Sequence, residues 1–229
     1  MKIFALSTAE PGCSLAVTDN DQLVCETYWH SRLTHSRRLL SMAGDLFPDQ
    51  AGCEISEVDA FVAAKGPGSF TGLRIGISAV LGLSTALSRP AAGVSSLDGI
   101  ACRFSQVDVP VCAMMDARRG QVYCAVYRFE HGRLKEKTDD TVCPPKQAIS
   151  MVSGQDAVFA GSGARVYEAK IQETFKGRAR MAPPFMDAVS AAALAWAART
   201  TPDFFENPAN ALVPAYLRSE GADAPRGFA

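Results

Sequence analysis

The opening thirty residues constrain the fold more than any other stretch. Residues 2–7 form an apolar run, AEPGC is a turn, Ser14 to Thr18 is a second short run, and the turn signal Asp19-Asn20-Asp21 leads into a third from Leu23 to Trp29. Runs of strand length joined by tight turns predict an antiparallel three-strand meander. The period then changes. Between Thr34 and Phe47, residues Leu39, Leu40, Ala43, Leu46 and Phe47 share one side of a helical wheel, with His35, Arg37 and Arg38 outside it, and Pro48 stops the helix. Val58 to Ala64 is again strand-like, KGPGSFTG is a glycine-rich loop, residues 71–88 read as a helix, and AAGVSS reads as a buried strand. A strand, a crossover helix and a strand make a βαβ unit with a parallel pair.

The second half restarts the same grammar. Val109 to Met115 is a strand, DARRGQ a turn, Val122 to Phe129 a second strand, and EHGR leads into a more polar third run ending at Thr138. Pro144-Pro145 then opens a short helix to Val152, Ala157 to Ala160 is a strand, and GSGARVYEAKI starts another helix. The repeat predicts an internal duplication and two α/β subdomains, residues 1–105 and 106–229, each a mixed sheet flanked by helices. The second is expected to carry the Ala-rich helix at 187–199 and a loose tail. This element order is that of ribonuclease H-like and actin-like ATPase domains, which is an analogy of fold alone.

Composition narrows the function classes. Of 229 residues, 23 are Lys or Arg and 24 are Asp or Glu, for a net charge of −1. Bulk charge therefore gives no drive toward nucleic acid or an acidic membrane, and any RNA role has to come from a patch or a partner. No wholly apolar run reaches the ~18 residues that would span a bilayer, and the first residues read as a strand and not a signal peptide. The seven cysteines lie ten or more residues apart with no C-x-x-C pair, and the three histidines do not complete a zinc pattern with them. They read as reduced, mostly buried thiols of a cytoplasmic protein.

The glycine-rich loop, Lys65 to Gly76, is the most informative candidate. Backbone N–H groups at a helix start can hold an anion, which makes Thr8, Gly66, Gly68, Ser69 and Gly72 a possible anion or nucleotide loop. The spacing matches neither G-x-x-x-x-G-K-[ST] nor G-x-G-x-x-G, and the alternative is a tight turn with Ser69 or Thr71 capping the helix. The helix that follows has a small face, Gly72, Gly76, Ala79, Leu83 and Ala86, and a broad apolar face, Leu73, Ile77, Val80, Leu81 and Leu87. A helix apolar nearly all round needs cover on both sides, from its own chain or from a partner. His35 has no histidine one turn on, since that position is Leu39, so a metal pair there is not expected. Asp98, Asp116 and Glu130 are isolated, Arg118-Arg119 reads as a solvated turn tip, and Lys176, Arg178 and Arg180 read as a solvated face.

FALSTAEPGCSLAV at the start, KGPGSFTGLRIG, GVSSLD at 93–98, DARRGQVY at 116–123 and PAYLR at 214–218 together resemble the bacterial TsaB (YeaZ) family over almost the whole chain. Members are non-catalytic relatives of the TsaD transferase, in a complex that makes threonylcarbamoyladenosine in tRNA. The resemblance implies two actin-like (ASKHA, ribonuclease H-like) subdomains and a helical interface with a TsaD-type subunit, or with a second copy of the chain in isolation. On that basis His35, Leu39, Leu73, Ile77, Val80 and Leu81 are the expected partner-facing residues. It implies no catalytic residue, metal or cofactor on this chain, with ATP and a metal ion on partner subunits, one of them a TsaE-type P-loop ATPase. Contact with tRNA is expected mainly through the complex, without a membrane. Where the family commonly has Asp-Thr at the end of the first strand, this chain has Ser7-Thr8, which removes a carboxylate that holds a nucleotide's metal in ATPases of this fold. The alternative reading is a free-standing glycoprotease-like metallopeptidase or a nucleotide hydrolase of the same fold, and a homodimeric binding module is a third.

Overall fold

A computed structural model describes residues 1–30, 35–207 and 210–218. Strands β1 (Lys2–Ser7), β2 (Gly12–Asp19) and β3 (Gln22–His30) form the expected antiparallel meander. Asn20 turns the second corner at φ 52°, a left-handed conformation that asparagine tolerates better than most side chains. Helix α1 (His35–Leu46) follows, then β4 (Ala60–Gly66), helix α2 (Phe70–Leu87) and β5 (Ala91–Ser95). Both β4 and β5 are parallel additions, so the first sheet runs β3-β2-β1-β4-β5.

A short helix α3 (Asp98–Ala101) leads into the second sheet. Strands β6 (Val111–Asp116), β7 (Val122–Glu130) and β8 (Arg133–Lys137) form another antiparallel meander. Strand β9 (Thr141–Cys143) pairs with the start of β7, so the third strand of this sheet is split in two. Helix α4 (Pro145–Ser150), β10 (Ala157–Ala160), α5 (Ser162–Val166), α6 (Glu168–Phe175) and β11 (Ala179–Met181) complete it, with β10 and β11 again parallel. Its order, β11-β10-β6-β7-β8, is the order of the first sheet repeated. The internal duplication predicted from the strand grammar is present in the topology, and the architecture is the actin-like one.

The expected boundary needs one correction. Helix α7 (Ala191–Thr200) lies far along the chain but packs on β1, β2, β4 and α3 of the first lobe. Its apolar residues Ala191, Leu194, Ala195 and Ala198 are buried in the first lobe's core, so the helix belongs with residues 1–105 in space and not with the half that precedes it. Leu212, further on, is buried in the same cluster, while residues 221–229, expected as a loose tail, lie outside the described residues. The period of two along β6 and β7 explains how the lobes join. Cys112, Met114 and Cys124 point to a separate cluster under α4 and α6, while Val111, Ala113, Ala125 and Tyr127 point into the core of the first lobe.

Candidate functional site

The glycine-rich loop sits where the end of β1 meets the start of α2, and its glycines are explained by close backbone approach. A Cβ at Gly68 would lie 2.4 Å from the Ala9 carbonyl oxygen, at Gly72 2.0 Å from that of Thr8, and at Gly76 2.4 Å from Thr8 Oγ1. The polar groups of the loop are engaged with one another. Thr8 Oγ1 donates to the Gly72 carbonyl at 2.8 Å. The Ser69 N–H donates to the Ala9 carbonyl at 2.7 Å, and the Ser69 hydroxyl caps α2 by accepting from the Gly72 N–H at 3.2 Å. Thr8, Gly68, Ser69 and Gly72 are thus brought together, with Gly66 accepting from the Ser96 N–H behind them. They form a tight turn in which the Ser69 hydroxyl caps α2, and β1 ends in Ser7 with no carboxylate there.

Polar ties cross from one lobe to the other at separate points. Glu10, in the β1–β2 turn, accepts from Ser162 Oγ at 2.7 Å and from the Val189 N–H at 3.3 Å. Burial pushes this carboxyl's pKa up, against those two hydrogen bonds. At a second tie, Lys137 Nζ lies 2.7 Å from Asp98 Oδ1 and 2.9 Å from Asp140 Oδ1. The buried Tyr127 hydroxyl donates to Asp98 at 2.7 Å and Ser95 Oγ to Asp140 at 2.5 Å. The Lys137 ammonium is opposed by burial, yet the two carboxylates outweigh that and raise its pKa. A third tie runs from Arg218 to Gln121 Oε1 at 2.5 Å.

The helix surfaces redistribute the expected interface. Leu39, Leu73, Ile77 and Val80 are buried within the chain, whereas Leu81 is 46% exposed. The side chain of His35 lies outside the described residues. The correction has a geometric cause: Gly72 and Gly76 let α2 descend onto the end of β1, which centres the buried arc between the two apolar faces of the wheel. One arc of α2 then remains open, carrying Arg74, Ser78, Leu81, Gly82 and Thr85. On length and composition α2 is apolar enough to cross a membrane, but its Leu73, Ile77 and Val80 stripe is spent in this chain's own core. Among the described residues no three His, Cys, Asp or Glu side chains gather as a metal site.

Two features escaped the sequence reading. Glu10 lies in the AEPGC turn, which is legible as a turn, and its carboxylate beside Pro-Gly is the available signal. Phe70 and Tyr216 stack with ring centroids 4.9 Å apart, a contact that no local spacing reveals. The cysteines behave as expected of small apolar residues. Burial raises the Cys13 thiol to about 11 and the Cys112 thiol to about 12.

The comparisons with known proteins place this arrangement. A family model described as TsaD, tRNA N6-adenosine threonylcarbamoyltransferase, matches residues 30–225. The tRNA threonylcarbamoyladenosine biosynthesis protein TsaB of Escherichia coli is 34% identical over 169 residues, 71% of this chain and 72% of that one. The chain belongs to the TsaB family. The TsaB of Haemophilus influenzae is 26% identical over 96% of this chain and 94% of its own. The solved structure of YeaZ from Pseudomonas aeruginosa superposes with a TM-score of 0.78 at 29% identity, covering 94% of this chain and 99% of that one.

Proposed function

We propose that this chain is the non-catalytic subunit of an assembly that installs threonylcarbamoyl on adenosine in tRNA. It pairs with a TsaD-type transferase and works with a TsaE-type P-loop ATPase in the cytoplasm, and it pairs with a second copy of itself when alone. ATP and a metal ion act on those partner subunits. The observation that carries the reading is the open arc of α2. Leu81 projects from it at 46% exposure, and a Cβ built on the neighbouring Gly82 would meet nothing within 4 Å. A leucine beside a bare glycine on the exposed side of the helix is a surface that another helix can approach closely. The test is a pair of variants at adjacent positions. Leu81→Glu is expected to fold normally and to lose heterodimer mass with a TsaD-type transferase by at least tenfold in affinity, together with threonylcarbamoylation by the reconstituted complex. Val80→Glu, which places a charge at a position 0% exposed, is expected to unfold the chain instead. A folded Leu81→Glu chain that pairs and supports modification as well as wild type would overturn this assignment.

A further inference from the structure

We propose that this chain touches tRNA directly, through a shelf of arginines and aromatic rings that runs from the start of α2 to the β6–β7 turn. The inference rests on the reading above, that the chain works in a tRNA-modifying assembly. The shelf starts with Phe70 and Tyr216, 38% and 44% exposed. Their rings stack at an interplanar angle of 29°, the Arg74 guanidinium carbon lies 3.8 Å from the Phe70 centroid, and Arg74 Nε donates to the Tyr216 hydroxyl at 3.1 Å. Three side chains that would be mobile singly are thereby held as one exposed unit. Flat π faces beside a pinned guanidinium are what an unpaired base stacks on, whatever its sequence.

The segment that carries Tyr216 is itself fixed, because the Ala215 N–H donates to the Lys65 carbonyl at 2.7 Å. Two residues further on, Arg218 reaches the second lobe at Gln121. Gln121 closes the turn that exposes Arg118 and Arg119, its N–H donating to the Arg118 carbonyl at 3.0 Å. In that turn Arg118, Arg119 and Gly120 have φ of 59°, 52° and 72°, three left-handed residues in succession. Glycine adopts this backbone freely, whereas a side chain with a Cβ is crowded there. Arginine therefore stands at two positions where glycine would be unstrained, and both side chains are exposed.

In a chain whose net charge is −1, four arginines, Arg74, Arg118, Arg119 and Arg218, lie on the segments that these contacts join. The nearby carboxylate of Asp116 has Oδ1 engaged by the Arg118 N–H at 2.9 Å, which turns it toward the backbone. Guanidinium forks suit phosphate oxygens, and exposed rings among them suit bases, so this surface fits a polynucleotide better than an apolar protein face.

The experiment titrates a fluorescent, unmodified tRNA transcript with the chain alone and with the chain bound to a TsaD-type transferase, at several salt concentrations. Arg118→Ala combined with Arg119→Ala is expected to weaken binding by about tenfold and to lower the slope of log K against log salt by about two, one for each phosphate that is no longer neutralised. Tyr216→Leu is expected to weaken binding by about tenfold with the salt slope unchanged, and Tyr216→Phe to restore it. Unchanged affinity and slope in the double arginine variant, with pairing to the transferase intact, would overturn the inference. A double variant that no longer pairs with the transferase would also overturn it, by making the shelf a protein interface. A wild-type chain that never pairs with the transferase would strike the proposed function alone, since the titration of the isolated chain still judges the shelf.

Discussion

Gly72 and Gly82 lie in one helix, and the same substitution at each is expected to act with opposite sign. A Cβ at Gly72 would sit 2.0 Å from the Thr8 carbonyl oxygen and 3.3 Å from Ser69 Cβ. Ordinary contact begins at 3.4 Å, so the first turn of α2 or the end of β1 has to retreat by about 1.4 Å. Overpacking of that kind costs about 1–3 kcal/mol. The retreat also stretches the buried Thr8 Oγ1 to Gly72 carbonyl bond of 2.8 Å, whose loss costs about 1 kcal/mol. Alanine's helix propensity returns about 1 kcal/mol. Gly72→Ala is therefore expected to destabilise the chain by about 2 kcal/mol. At Gly82 a Cβ meets nothing within 4 Å, so only the propensity gain remains and Gly82→Ala is expected to stabilise by about 1 kcal/mol. Urea unfolding followed by circular dichroism, with the slope held common, reads both values. If the two variants fall within about 0.5 kcal/mol of each other, the argument that the loop glycines exist for backbone approach is wrong.

Two further substitutions probe the ties between the lobes. Lys137→Met leaves Asp98 and Asp140, whose side chains are 20% and 18% exposed, facing each other without their cation. It is expected to cost about 2–4 kcal/mol in urea unfolding at neutral pH, the lower side of the range for broken buried pairs because some water reaches all three groups. In the wild type the contribution of Lys137, whose folded pKa is raised, is fully present below its ordinary value of 10.5 and is lost as pH rises through the folded value. Glu10 carries the opposite consequence. Its folded pKa is raised by burial above the ordinary 4.5, so it favours the folded state below that pH and the advantage is lost as pH rises through the folded value. Glu10→Gln keeps an oxygen for the Val189 N–H and can donate to Ser162. It is expected to be the more stable form at pH 7 in thermal unfolding, with the gap closing toward pH 4; a gap independent of pH would refute the role of the buried charge.

Element positions were legible because each depends on local period. The strand predicted over 109–115 is Val111–Asp116, and the helix predicted over 71–88 is Phe70–Leu87. The repeat of the meander was legible for the same reason, since turn residues and apolar runs recur in order. The lobe that α7 joins was not, because alanine on most faces marks a helix by propensity but gives no direction for its burial. The two apolar faces of α2 were read correctly as apolar and wrongly as separate. Their merger depends on how far Gly72 and Gly76 let the helix sink, and Thr8, some sixty residues earlier, decides that depth. Likewise the glycine loop showed where space was needed, while the Thr8 and Ala9 groups that fill the space come from another strand.

The ties between the lobes bear on where function resides. Glu10 with Ser162, Lys137 with Asp98, and Arg218 with Gln121 each join a group of one lobe, or of the segment packed on it, to a group of the other, over a core that both sheets share. On the outside of this joined pair of lobes, α2 supplies two pieces of exposed surface. Arg74 belongs to the arginine and aromatic shelf and, about two turns before Leu81, to the open arc of the helix as well. At a rise of 1.5 Å per residue the two lie about 10 Å apart along the axis. A transferase seated on Leu81 and an RNA strand seated on Arg74 would then be neighbours on one helix. Loss of pairing and loss of RNA contact should accordingly be separable by substitution yet coupled in the assembled complex, with tRNA binding tighter to the heterodimer than to this chain alone.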